Sequence, residues 1–225
     1  WPEQAIVGQR WKLLTSSGEL TAITGIKTPH VMNIEERGKV FNKEELFLDV
    51  GASNKQDALD RLGIRPGDPI VPYSEFEILN DSDLLVGKAW DDRCGLAVMS
   101  AVMEHIKNTE IPSNIVAVST VQEEVGLRGS HTSSNIVKPD LGINLESGVA
   151  GDYPGITEYE AQEKVGYGPA IFLHDSSMLP NLKLRNLVEK TAREINVPLQ
   201  YNVLSGYGQD GAEIQKTNGG TPTIN

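Results

Sequence analysis

Ile115-Val116-Ala117-Val118-Ser119-Thr120-Val121 runs without a charge into Gln122-Glu123-Glu124. A β-branched run that is apolar on both alternating faces reads as a strand buried on both sides, the kind found in parallel sheets. Upstream, Gly95 to Ile106 carries apolar residues at 96, 98, 99, 102, 103 and 106, a helical stripe. Downstream, Leu141 to Leu145 and Ala170 to Leu173 repeat the buried-strand pattern, and Leu199 to Leu204 returns to it. Between them Leu184, Leu187, Val188, Thr191 and Ile195 share one side of a second amphipathic helix, and Asp210 to Lys216 reads as a short one. Strand and helix alternate, so residues 81–225 are expected to be α/β, with helices packed on a largely parallel or mixed sheet.

Before Asn80-Asp81 the pattern differs. Ala5 to Leu14 and Leu20 to Ile26 read as the strands of a hairpin turning at Ser16-Ser17-Gly18-Glu19. Leu46 to Val50, Pro69 to Val71 and Phe76 to Leu79 read as further strands. Ser53 is placed to cap a short helix through Ala58, Leu59 and Leu62 that stops at Gly63. Residues 1–80 therefore form a small, mostly β module. The sequence opens on Trp1 without Met, and its closing Thr221-Pro222-Thr223-Ile224-Asn225 reads as the start of a strand, so a segment of a longer protein is expected.

The 225 residues suffice for one large domain or two small ones with buried cores. The net charge of −11 argues against a nucleic-acid partner, which demands a cationic surface. No apolar run approaches the roughly 18 residues of a membrane span, and no basic-then-apolar leader is present, so a cytoplasmic protein without membrane association is expected. The single cysteine, Cys94, cannot form an internal disulfide and reads as a small apolar filler rather than a nucleophile.

Three carboxylate features stand at predicted strand ends or helix starts: Asp91-Asp92, Glu123-Glu124 and Glu146. Ligands of open α/β sheets gather at the carboxyl edge of the strands, so all three can meet in one crevice. Carboxylates gathered there stay ionised only if cations neutralise them, and two divalent ions roughly 3.5–4 Å apart would do so while activating a water. Against this, Asp91-Asp92 also suits the N-terminus of the following helix as a simple charge on its dipole. Adjacent residues of a strand face opposite ways, so Glu123 and Glu124 share a site only if the strand has ended before them.

The runs Lys88-Ala89-Trp90-Asp91-Asp92-Arg93-Cys94-Gly95 and Thr120-Val121-Gln122-Glu123-Glu124-Val125-Gly126-Leu127-Arg128-Gly129 closely resemble two segments of the tetrahedral dinuclear metalloaminopeptidases, the glutamyl and deblocking aminopeptidases. Further likenesses lie at Asp49-Val50-Gly51-Ala52-Ser53, Gly63-Ile64-Arg65-Pro66-Gly67-Asp68 and Ala150-Gly151-Asp152-Tyr153-Pro154-Gly155. The resemblance implies a three-layer α/β catalytic domain, truncated at both ends, with residues 1–80 as an inserted β-rich dimerisation domain. It implies two divalent ions, zinc first and cobalt or manganese as alternatives. Asp91 would bridge them, Glu124 would ligate one and Glu146 the other, with Asp92 and Arg93 in support. Glu123 would be the general base. Family members generally carry Asp where Glu146 stands, and Asp152 is the fallback ligand. A His-x-Asp segment and a further His of the family pattern fall outside residues 1–225, so this chain is expected to bind metal weakly. Of the histidines present, His30 and His105 read as surface or packing residues, and His131 and His174 as the two nearest the crevice.

The segment Ser205-Gly206-Tyr207-Gly208-Gln209-Asp210-Gly211-Ala212 resembles a Gly-rich family loop on the substrate side, which assigns Gly208, Gln209 and Asp210 there. Read without the resemblance, it is a turn in which Asp210 caps the next helix. The implied activity is release of N-terminal residues, acidic ones first, from short peptides, by homodimers built into a hollow dodecamer. Two other classes stay open. A glycoside hydrolase would use carboxyls about 5–10 Å apart without metals, and a non-catalytic assembly subunit would need none of this chemistry.

Overall fold

The computed structural model describes residues 3–225; Trp1 and Pro2, where the β-rich module is expected to begin, lie outside the described residues. The chain forms two compact units, one extending to Lys88 and the other Ala89–Asn225. The turn at Asn80-Asp81 falls inside a hairpin of the first unit.

The first unit opens with a helical turn, α1 (Glu3–Ile6), so the predicted first strand starts later than Ala5, as β1 (Arg10–Thr15). It pairs with β2 (Gly18–Gly25) through a two-residue turn, with Thr15 opposite Gly18 and Arg10 opposite Ile23. The short helix α2 (Ile34–Arg37) follows, closed by a reciprocal box between Asn33 and Glu36. β3 (Phe47–Asp49) then joins β2. The next helix, α3 (Lys55–Asp60), is capped by Asn54 and not by Ser53: the Asn54 side chain accepts from Asp57 N at 3.0 Å. β4 (Ile70–Pro72) completes an antiparallel sheet of order β3-β2-β1-β4. Alternation along the hairpin buries Leu13 and Ala22. β5 (Glu77–Ile78) and β6 (Leu85–Val86) form the hairpin around Asn80-Asp81.

The second unit opens with α4 (Trp90–Ile106), longer than the stripe from Gly95, although Asp91 and Asp92 depart from helical geometry. Ile115–Val121 forms no regular element and pairs with no strand among the described residues, and Ile115, Val116 and Val121 are 48%, 58% and 68% exposed. The predicted strand is thus absent as a hydrogen-bonded element. Propensity shapes the backbone, but a strand also needs a neighbour's N–H and C=O groups. A helix that the apolar pattern does not reveal follows, α5 (Arg128–Val137), which buries Gly129, Ser130 and Ser134.

β7 (Gly142–Ile143) lies parallel to β10 (Thr223–Ile224), and β8 (Ala170–His174) parallel to β9 (Gln200–Val203). The α6 helix (Leu182–Glu194) crosses between the strands β8 and β9, capped by Asn181, whose side chain accepts from Lys183 N and Leu184 N, each at 3.1 Å. The last helix, α7 (Gly211–Ile214), precedes β10. Ile171, Leu184 and Ile224 form the core, with Leu173, Val188 and Leu199 packed on it. Burying each such side chain contributes roughly 1.5–3 kcal/mol. The mixed α/β reading holds, with parallel pairing in the second unit.

Candidate active site

Two breaks in regular backbone bring the predicted acids together. At the head of α4, Ala89 is left-handed (φ 56°) and the Asp91–Asp92 peptide is cis. Asp92 turns back onto the helix: its carboxylate accepts from Gly95 N at 2.9 Å, an N-cap contact, with Cys94 Sγ at 3.5 Å. Asp91 faces a cavity instead. The acidic pair therefore divides its two readings, one residue capping and the other facing the site.

At the end of the Ile115–Val121 run, Gln122 is left-handed (φ 59°) and Glu123–Val125 closes into a single 3-10 turn. The strand direction has ended there, so neighbouring carboxylates need not point apart. Gly126 N and Leu127 N bond to Glu123 O at 3.0 and 2.9 Å, and Gly129 N bonds to Val121 O at 2.9 Å. Glu146 lies just beyond β7, and its carboxylate accepts from Ser147 N at 3.0 Å.

Asp91, Glu123, Glu124 and Glu146 line one cavity of about 280 Å³ together with Gly206, Tyr207 and Gly208. No cation stands among these lining residues, and the electrostatics follow. Burial, then the negative charges of Asp210, Glu124, Asp91 and Asp92, push Glu123 up to about 7. Burial, aided by Asp92, Asp91 and Glu123, raises Glu146 also. Asp92 is raised chiefly by burial. A set of hard oxygen donors with this excess of negative charge suits divalent cations. Among the described residues, however, no three His, Cys, Asp or Glu side chains draw close enough to hold an ion unaided.

The other predicted residues lie elsewhere. Arg93 is exposed and in no ion pair among the described residues. Asp152 accepts from Val165 N at 3.2 Å and does not line the cavity, so the fallback ligand is not the one brought there. His131 pairs with Glu213 at 3.0 Å, His30 contacts Thr28, and neither they nor His105 and His174 line the cavity. Of the substrate-side trio only Gly208 faces the cavity. Gln209 is fully buried and donates to Asp175 at 2.6 Å, and Asp210 accepts from Thr120 Oγ1 at 2.5 Å. Asp210 makes no side-chain cap for α7, contrary to the local reading. Burial and Asp92 push the Cys94 thiol up, away from nucleophile chemistry. Tyr207, which the sequence reading did not single out, lines the cavity, and its only local signal was its place between two glycines.

The sequence pattern of the M42 glutamyl aminopeptidases matches residues 1–225. The chain belongs to the M42 family. Its fold follows that of a TET aminopeptidase from a marine-sediment Thaumarchaeota archaeon, with a TM-score of 0.96 and 38% identity, over 100% of this chain and 63% of that one. A Pyrococcus horikoshii TET1 peptidase, which assembles into a tetrahedron or a large octahedral shell, is 25% identical with a TM-score of 0.85, over 99% of this chain and 63% of that one. The Escherichia coli putative aminopeptidase FrvX is 32% identical over 100% of this chain and 62% of its own length. This M42 chain thus spans just over three fifths of these relatives. Among its described residues no helix is long and apolar enough to cross a membrane.

Proposed function

We propose that this chain supplies most of the active site of a two-metal M42 aminopeptidase that releases N-terminal residues from short peptides. The observation that carries the reading is the convergence of Asp91, Glu123, Glu124 and Glu146 on one cavity that no lining cation neutralises. Asp91 would be shared between two ions, zinc, cobalt or manganese, with Glu124 on one and Glu146 on the other. Imidazoles from outside residues 1–225 would complete each set. When bound, such ions supply Lewis acidity and lower the pKa of a water. Glu123 takes the proton of the attacking water and returns it to the departing amine. In the metal-free chain burial and the neighbouring carboxylates raise its carboxyl to about 7, and bound cations would lower it toward the ionised form that accepts a proton. Arg93 is assigned a supporting role as the nearby exposed cation in sequence.

An acidic first residue would need a cationic partner, and no lining side chain provides one. That preference therefore rests on residues beyond the cavity described. The unit ending at Lys88 would form the dimer contact of a larger shell, supported by exposed apolar residues there such as Ile34, Phe76 and Val31, at 88%, 66% and 63%.

The test is hydrolysis of glutamyl-, leucyl- and lysyl-p-nitroanilide by the full-length protein, as isolated, after chelation and after metal is restored. Chelator-sensitive release that metal restores is expected, and release indifferent to chelation would overturn the reading.

A further inference from the structure

Tyr207 differs in kind from the other side chains that line the cavity. Asp91, Glu123, Glu124 and Glu146 accept hydrogen bonds when ionised, and Gly206 and Gly208 have no side chain. Its phenol is the one lining side chain whose ordinary state is a hydrogen-bond donor.

The ring packs on one neighbour and its backbone is tied to another. It stacks on buried Phe172, with centroids 5.9 Å apart and planes inclined by 21°. The Tyr207 carbonyl accepts from Ser176 N at 3.1 Å and also from the Ser176 hydroxyl. Gly206 beside it takes φ +84°, a conformation that lets the loop turn sharply at the cavity wall. Such a donor is fixed before substrate arrives, which is the condition under which hydrogen bonds to developing charge are most effective.

Resting on the aminopeptidase reading, the geometry points to Tyr207 as the catalytic donor that hydrogen-bonds the scissile carbonyl oxygen as it becomes an oxyanion. Water oxygen bonds to the carbonyl carbon, the C=O π pair moves onto oxygen, and Glu123 takes the proton. The Tyr207 hydroxyl shortens its hydrogen bond to that oxygen without giving up its proton. The oxyanion then collapses, the C–N bond breaks, and Glu123 protonates the amine. Burial, the largest influence on it, raises the phenol's pKa, which keeps its proton in place.

The experiment compares the metal-loaded full-length protein with Tyr207→Phe, which keeps the ring on Phe172 and removes only the hydroxyl. A fall in kcat on the order of 100-fold, with KM changed by less than about 2-fold, is expected. Affinity for a phosphinic peptide that mimics the tetrahedral state should fall by a similar factor, while affinity for the product amino acid and the metal content stay unchanged. An unchanged kcat, or a loss confined to KM, would overturn the inference and make Tyr207 a pocket wall. Wild-type protein that fails to hydrolyse any p-nitroanilide would overturn the aminopeptidase reading itself, and this inference with it.

Discussion

Thr120 donates its hydroxyl to a carboxylate oxygen of Asp210 at 2.5 Å, across a sequence separation of 90 residues. The contact ties the run that delivers Glu123 to the loop that delivers Tyr207. Asp210 is buried, and its charge is the largest electrostatic influence on Glu123 after burial itself. Thr120→Val keeps the side-chain shape and leaves a buried carboxylate oxygen without its donor. A stability loss of about 1–3 kcal/mol is expected by urea unfolding, with kcat falling more than KM rises. An unchanged unfolding midpoint would show that the contact carries no stability.

Gly129 sits where a Cβ would run into the backbone N and O of Val121. That is the point at which the Ile115–Val121 run ends and the Glu123 turn begins. Gly129→Ala should therefore destabilise by about 1–3 kcal/mol through overpacking and weaken metal uptake by displacing Glu123 and Glu124. Calorimetric titration with zinc alongside thermal unfolding separates the two effects. Wild-type metal affinity in this variant would mean that the turn absorbs the methyl group.

Asp91 and Asp92, adjacent in sequence, should fail differently. Asp92→Ala removes the cap on Gly95 N and should cost roughly 0.5–2 kcal/mol of stability. Asp91 is exposed and faces the cavity, so Asp91→Asn should leave stability within about 0.5 kcal/mol. It should lower bound metal per chain instead. Denaturation with elemental analysis distinguishes them, and identical behaviour would remove the division of roles.

The raised carboxyls set a direction for pH. Glu123 titrates at about 7 in the folded chain against 4.5 ordinarily, so between those values the folded state holds a proton that the unfolded state has released. Its stabilising contribution is complete below about pH 4.5 and is lost as pH rises through about 7; Glu146 acts in the same sense. The exposed Asp57, held low by Arg61, acts below its ordinary 3.8 and leaves that window alone. Metal-free protein should thus lose unfolding midpoint from about pH 5 to about pH 8, and saturating zinc or manganese should abolish the decline while releasing protons. A flat metal-free profile would contradict the raised values.

Much of this was legible in the residues, because most elements are decided locally. The stripe from Leu184 to Ile195 places α6 within a few positions, and only its Asn181 cap lies outside that reading. The three acidic segments declare themselves by standing at a helix start, after an apolar β-branched run and after the strand β7. What escaped was decided at a distance. The α5 helix buries small residues, Gly129, Ser130 and Ser134, so its inward face carries no apolar stripe. Ser53 reads as the cap, but Asn54, as good a cap by residue type, is the one whose side chain reaches Asp57 N. Gln209 and Asp210 read as substrate-side loop residues, or Asp210 as a helix cap, yet their partners Asp175 and Thr120 lie far off in sequence and turn them inward. Tyr207 owes its place to Phe172 and Ser176, which no local pattern connects to it.

Ile115–Val121, which joins no sheet among the described residues, also bears on how a chain of these residues behaves in concentrated solution. It offers an uncharged, β-branched ribbon with exposed Ile115, Val116 and Val121, the composition that templates intermolecular cross-β growth. The net charge of −11 keeps copies apart while salt is low. Added salt screens that repulsion and leaves the ribbon's attraction intact, so self-association of a chain of these residues should rise with ionic strength.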